Sequence, residues 1–326
     1  MSEANLKNYK SFVPSDFHSY LLIEYLSKRF PYHSGEDWIF LIENHNVLIN
    51  NGFAFPELIL KTGDEISYTP KPNAIREPEI NRDYKILLEE EGFLVIDKPP
   101  NIPVHPAGRY RTNTLLNLLE GDRKNEKFYP VHRLDRETSG MILFAKTVEY
   151  RLLLQKLFED RKIRKEYLTL VYGRFPDHLV SEGYLGKDPN SSIRKKQSFR
   201  KESLGDDKYS STEFSLVSYD KDKNISLVIV KPHTGRIHQI RATLLSEGFP
   251  VVGDKLYGKR EGAFLDFING GESDLLNEEL GHNRQCLHAY SLSFNDPATG
   301  KENNFLCPLS SDLCHLIANI PSEYVT

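Results

Sequence analysis

His132-Arg133-Leu134-Asp135-Arg136-Glu137-Thr138-Ser139-Gly140 runs directly into Met141-Ile142-Leu143-Phe144-Ala145. The second stretch is an unbroken apolar run, too short to cross a membrane and of the right length for a buried strand. A charged loop entering such a strand can hold a carboxylate at a fixed depth in a cleft. Arg133 and Arg136 flank Asp135. A neighbouring cation favours the ionised carboxylate, which is then available for nucleophilic or base chemistry. The same charge pattern also describes an exposed, salt-bridged loop. Taken alone, the stretch leaves both readings open.

With 39% hydrophobic and 27% charged residues among 326, the chain has room for one large domain and a small one. Its net charge of −4 bears on nucleic-acid partners, because phosphate binding needs a basic footprint. Only the surface that meets the phosphates must be positive, however. Three basic clusters offer such surfaces: Arg161, Lys162, Arg164 and Lys165; Arg194, Lys195, Lys196, Arg200 and Lys201; and Arg109 with Arg111. Cys286, Cys307 and Cys314 are odd in number and lack Cys-x-x-Cys spacing, so neither disulfides nor a zinc knuckle are expected. The first residues carry no apolar signal core, and no apolar run reaches membrane-spanning length. A cytoplasmic protein without membrane association is expected.

Prolines 70, 72 and 78 deny both helix and sheet, which marks a linker. The expected division is residues 1–72, a linker at 73–83, and a large domain at 84–326. In the first part, Tyr20–Leu26 reads as a helix with Ser19 as N-cap, and Trp38, Ile39, Leu41 and Ile42 as a second helix. Apolar runs at 47–52 and 60–68, each touching a glycine turn, read as strands. Between Ser15 and Pro70, three bases stand against eight acids, a net charge of −5.

From Tyr84 onward, strand-like and helix-like pieces alternate. Phe93–Asp97, Tyr167–Tyr172 and Ile225–Val230 read as strands, and Tyr150, Leu153, Leu154, Leu157 and Phe158 mark an amphipathic helix. An α+β domain on a mixed, largely antiparallel sheet follows. Residues 261–281, acidic and glycine-rich, read as a surface insertion.

Two further stretches could meet Asp135. Lys165-Glu166-Tyr167 puts a tyrosine near the start of a strand beside a basic cluster, where it can stack on a base, move a proton, or simply pack in the core. Pro232-His233-Thr234-Gly235-Arg236-Ile237-His238-Gln239-Ile240-Arg241 reads as a strand, a turn and a helix start. Free N–H groups at a helix start attract anions, either a phosphate or the Asp135 carboxylate. Arg241, one helical turn beyond Ile237, can reach back toward that site. His233 and His238 lack a third ligand at zinc-binding spacing.

The string His132–Gly140 resembles the signature of the RluA-type pseudouridine synthases, His-Arg-Leu-Asp-x-x-Thr-Ser-Gly, at every fixed position. Three later elements also resemble that family, in its order: Lys165-x-Tyr167, Thr234-Gly235-Arg236-x-His238-Gln239-Ile240-Arg241 followed by Gly253-Asp254-x-x-Tyr257-Gly258, and Gln285-Cys286-Leu287-His288-Ala289 with Asp296-Pro297-x-Thr299-Gly300. The first part resembles, more loosely, the α-L RNA-binding module that many of these enzymes carry. The resemblance covers roughly residues 84–310. It implies Asp135 as the catalytic residue, Tyr167 covering the target base, and Arg241 pairing with Asp135. It also implies an RNA substrate whose uridine is flipped from the stack, with ribosomal RNA favoured and transfer RNA next. No cofactor or metal is called for, and a monomer is expected. His132, Arg133, Lys165, Arg236, His238, Gln239, Arg109 and Arg111 are the expected RNA-contacting set. Val104–Arg111 departs from the commoner bacterial form, which bears on the substrate more than on the chemistry. The alternatives are an RNA-binding or ribosome-assembly factor without chemistry, and a metal-dependent nuclease or phosphatase using paired carboxylates, which would need a cluster of acids where only Glu137 stands.

Overall fold

The structure, a computed structural model, describes residues 8–30, 33–69, 77–124, 126–193, 195–260, 262–271 and 273–325. It divides into two compact units. The first is Met1–Glu79 with Ala107–Thr112, and the second is Ile80–Pro106 with Asn113–Thr326. The expected bounds therefore miss an excursion at Ala107–Thr112 that packs as part of the first unit. Of the proline-rich linker, residues 70–76 lie outside the described residues, and 77–84 form neither helix nor strand.

In the first unit, strands Tyr9–Phe12, Glu65–Tyr68, Val47–Ile49 and Gly52–Phe53 lie side by side in that order. The tight turn between the last two is made by Asn50 and Asn51, both left-handed at φ 48° and 62°. Helices Leu22–Arg29 and Gly35–Glu43 bury Leu22, Tyr25, Leu26, Trp38, Leu41 and Ile42 against Val47, Ile49 and Ile66. Ser34 caps the second helix, its Oγ accepting the Asp37 N–H at 3.1 Å. Ser19 does not cap the first. It sits at φ 67° and its N–H donates to the Leu60 carbonyl, so the helix starts two residues later than its apolar pattern suggests. The second glycine-bounded run is a strand only from Glu65, because Lys61–Asp64 is closed as a turn by the Asp64 carboxylate.

In the second unit an eleven-stranded sheet runs from Gln197–Arg200 through His178–Lys187, Lys208–Asp220, Ile225–Pro232, Arg164–Tyr172, Leu287–Asn295, Ser139–Ala145 and Phe93–Lys98 to Lys85–Glu89. Glu302–Leu306 and Tyr129–Pro130 pair alongside. Every pairing is antiparallel except that of Ser139–Ala145 with Leu287–Asn295. Strand Ser139–Ala145 is buried at all seven positions, which explains its unbroken apolar run. Met141 and Leu143 pack with Phe93, Val95 and Leu154 on one face, and Ile142 and Phe144 with Leu94, Ile96 and Leu119 on the other. Helix Val148–Glu159, capped by Thr147, covers the first face with Leu154; Leu153, expected inside, is 46% exposed. Gly140 has φ +97°, and a Cβ there would lie 2.3 Å from the Ala289 carbonyl oxygen. Only glycine permits both that backbone and the close approach of the parallel partner.

Candidate active site

Asp135 stands in the turn between Tyr129–Pro130 and Ser139–Ala145. The Thr138 N–H closes that turn on the Asp135 carbonyl at 3.1 Å, and Leu134 anchors it in the core. Lys98, fully buried at the end of strand Phe93–Lys98, donates to the carbonyls of Pro99, Ile102 and Arg136 at 2.8, 3.0 and 3.1 Å. Burial, with the charges of Arg284 and Arg136, holds its pKa well below the ordinary lysine value. Glu137 points away from the cleft. Its carboxylate accepts Lys255 Nζ at 3.1 Å and the Gln285 N–H at 3.1 Å, and it pairs with Arg136. Gln285 Nε2 also donates to Thr138 Oγ1 at 2.6 Å. The loop is thus tied to the sheet on both sides.

These ties correct one expectation. Arg136 pairs with Glu137 rather than with Asp135, and Arg133 is exposed. The cation that serves Asp135 comes from 106 residues further on: Arg241 Nη1 donates to Asp135 Oδ2 at 2.7 Å. Asp254 holds that guanidinium from behind, accepting Nε at 2.6 Å and Nη2 at 2.8 Å. Asp254, itself fully buried, also accepts the N–H groups of Leu256 and Tyr257 at 2.9 and 2.8 Å. A planar fork is the group that can serve two carboxylates in fixed directions. The Tyr257 ring lies beneath it, 4.9 Å from the guanidinium carbon.

The Asp135 side chain retains 26% of its exposure. Burial works to raise its pKa, but Arg241 and then His238 outweigh it and bring the value to about 2. The carboxylate is therefore ionised at neutral pH. For Arg241, burial opposes the charge and Asp254 overrides it, so the pKa lies above the ordinary value. The helix-start amides do not meet the carboxylate; the Arg241 side chain does.

Asp135 and Arg241 line a cleft of about 1210 Å³, together with Tyr167, Phe158, Tyr209 and Ile237. Seven Lys or Arg side chains line it against four carboxylates, so a chain of negative net charge presents a positive cleft. Arg133, Arg161, Lys165 and Arg236 have no carboxylate partner among the described residues. Tyr167, fourth in strand Arg164–Tyr172, opens onto the cleft, and burial followed by the Asp135 charge keeps its hydroxyl protonated.

The other expected contact residues divide. Lys165 lies in the cleft, its ammonium 5.3 Å from the Phe158 ring, and burial lowers its pKa. Arg236 lines the same wall, its Nε bonded to the Tyr209 carbonyl at 3.0 Å. His132 is half-buried with Nε2 accepting the Leu143 N–H at 3.1 Å; burial and Lys165 bring its pKa to about 3, so it is neutral. Gln239 spends its side chain inside the protein, accepting from Thr234 Oγ1 and the Arg236 N–H and donating to Ser211 and Thr212. From the wall of the cleft it shapes the turn that carries Arg236. Arg109 and Arg111 are not cleft residues. In the first unit Arg109 stands 3.8 Å from Asp37, and Arg111 stacks over Tyr9 at 5.2 Å and bonds its hydroxyl at 3.2 Å. Of the second basic cluster, Arg194 lies outside the described residues, and Arg200 and Lys201 pair with Asp207 and Glu247.

Asp254, Tyr257 and Lys98 carry parts of the site to which the sequence reading assigned no role. Gly253–Gly258 stands out as a motif, but nothing in its pattern says that its acid faces inward. The stretch read as a surface insertion forms helices Ala263–Gly270 and Asp274–Leu280. Its Phe264 packs on the Lys195 ammonium at 3.9 Å, and Phe267 on Arg136 and Lys255 at 5.5 and 5.0 Å.

Residues 92–246 match the RNA pseudouridylate synthase family. Ribosomal large subunit pseudouridine synthase C of Buchnera aphidicola is 33% identical over 282 residues, covering 82% of this chain and 83% of that protein. The tRNA pseudouridine(32) synthase, mitochondrial, of Saccharomyces cerevisiae is 32% identical over 271 residues. That match covers 82% of this chain and 56% of the yeast protein, so the chain spans about half the length of that relative. The solved structure of human RNA pseudouridylate synthase domain containing 1 shares the fold, with a TM-score of 0.57 at 23% identity, covering 74% of this chain and 91% of that one. With a 33% identical relative spanned for most of its length, and with the aspartate, its arginine and the tyrosine gathered in one cleft, the chain belongs to the RNA pseudouridylate synthase family.

Proposed function

We propose that this protein isomerises uridines in structured RNA to pseudouridine, with Asp135 as the catalytic carboxylate. One observation carries the reading: an ionised aspartate, held by a buried arginine, on the floor of a positive cleft beside a protonated tyrosine. The target base must leave its stack to reach that floor. The glycosidic bond from ribose C1′ to N1 breaks, the uracil turns, and C5 bonds to C1′. The C5 proton is lost and N1 is protonated, so atoms and charge balance without a redox step or group donor. Asp135 serves as nucleophile or as base, and either role requires the ionised form. Arg241 places the charge, Tyr167 covers the uracil, and Arg133, Arg161, Lys165 and Arg236 take up backbone phosphates.

Ribosomal RNA is the favoured substrate, by analogy with family members that carry the N-terminal module, and transfer RNA the next; relatives of this chain are named for each class. We place the protein in the cytoplasm, acting as a monomer. The test is replacement of Asp135 by Asn, with pseudouridines mapped across total RNA from a deletion strain carrying either form. Wild type should restore specific sites and D135N none. A restored map with D135N sinks the assignment. RNA binding by the wild type with no pseudouridine in any RNA would instead favour a non-catalytic assembly factor.

A further inference from the structure

His238 occupies the N-cap of helix Gln239–Ser246, a position that favours short oxygen-bearing side chains. It makes no capping bond and sits at φ 55°, a left-handed conformation that a non-glycine residue adopts at a cost. Its ring is turned to the site instead. Nδ1 lies 2.8 Å from the Tyr257 hydroxyl, and Nε2 lies 3.9 Å from Asp135 Oδ1. The Tyr257 oxygen accepts the Gln197 N–H at 2.9 Å, which leaves the tyrosine proton free to donate to Nδ1. The single ring proton of a neutral imidazole then resides on Nε2. The opposite tautomer would turn a lone pair toward an anionic carboxylate. Burial, with Arg241, brings the His238 pKa to about 4, so the ring is neutral in the working range.

We propose that His238 is a positioning residue for the catalytic aspartate, locked by Tyr257 as the Nε2–H tautomer and presenting that N–H to Asp135 Oδ1. Arg241 holds the other carboxylate oxygen at 2.7 Å. With donors on both oxygens, the carboxylate plane is fixed, and a lone pair of Oδ1 stays directed into the cleft toward the reacting atom. The 3.9 Å separation closes to hydrogen-bond length when substrate fills the cleft, as catalytic contacts commonly do. The left-handed backbone at residue 238 aims the ring at Asp135 rather than at the helix it precedes.

This inference rests on Asp135 being the catalytic carboxylate, and two independent readouts test it. The first is turnover of H238A, H238Q, Y257F and the double variant H238A/Y257F. Loss of a hydrogen bond to a charged group predicts that H238A lowers kcat about 10- to 100-fold with KM little changed. H238Q, whose amide can donate to Asp135 and accept from Tyr257, should recover most of that loss. Y257F, which keeps the ring under Arg241, should lower kcat in the wild-type background and have no further effect beside H238A. The second readout is nitrogen NMR of the His238 ring in the unliganded protein. It should show protonated Nε2 in wild type and a mixture of tautomers in Y257F. Additive losses from H238A and Y257F, failure of H238Q to recover activity, or protonated Nδ1 in wild type would each overturn the proposal. A wild type that forms no pseudouridine would refute the proposed function, while the nitrogen spectrum would still decide the tautomer.

Discussion

Replacing Arg241 with Met tests the central electrostatic claim. The methionine keeps much of the side-chain volume but removes the fork joining Asp135 to Asp254 at 2.7, 2.6 and 2.8 Å. Asp254, fully buried, then has, among the described residues, two backbone N–H donors for its charge. Breaking a buried ion pair from one side costs about 3–5 kcal/mol, so the midpoint of urea unfolding at pH 7 should fall. Asp135 contributes in its own right. A carboxyl whose pKa is depressed from 3.8 to about 2 stabilises the fold above pH 3.8 and loses that contribution as pH falls toward 2. That contribution is roughly 2 kcal/mol at neutral pH. Without Arg241 the burial that raises the pKa prevails, and the acid limb of log kcat/KM against pH should move up by at least about 2 units. At pH 7, kcat/KM, measured by tritium release from carbon 5 of labelled uridine in RNA, should fall about 100- to 1000-fold, as when a donor to a reacting oxyanion is lost. R241K supplies charge to one carboxylate but cannot serve both, so it should regain stability more than activity. An R241M protein with unmoved acid limb, wild-type kcat/KM at pH 7 and unchanged unfolding midpoint would refute the reasoning.

Two further outcomes follow from the same geometry. Gly140→Ala combines a φ of +97° with a Cβ 2.3 Å from the Ala289 carbonyl, so it should destabilise the second unit by about 2–4 kcal/mol in urea unfolding; a neutral substitution would mean the parallel pairing is not as tight as described. Arg133→Ala and Arg161→Ala remove cleft cations without carboxylate partners among the described residues, so each should raise KM, leave kcat nearly unchanged, and reduce the slope of log affinity against log salt by about one. An unchanged salt slope would remove that residue from the phosphate-binding surface.

Local patterns were legible wherever local forces decide. The buried strand after Asp135, the amphipathic helix over Val148–Glu159 and the strands around Tyr167 and Ile229 follow from apolar periodicity alone. Boundaries set by distant partners did not. Ser19 looked like a cap, but the Leu60 carbonyl claims its N–H. Arg109 and Arg111 form a basic pair in the sequence, but the structure sets them in the first unit, Arg109 beside Asp37 and Arg111 over the rings of Tyr9 and Tyr68, and not in the cleft of Asp135. The acidic insertion looked like surface, but two of its aromatic rings pack on the cations of Arg136 and Lys195.

By itself the sequence determined that an acid–base loop runs into a buried strand, and, through the order of its motifs, which family the chain resembles. Only the tertiary structure decided what makes Asp135 usable. The adjacent arginines, which sequence proximity favours, turn to Glu137 or to solvent. The ionised state comes from Arg241, itself oriented by Asp254. Electrostatic interaction depends on distance in space and on exclusion of water, and spacing along the chain encodes neither.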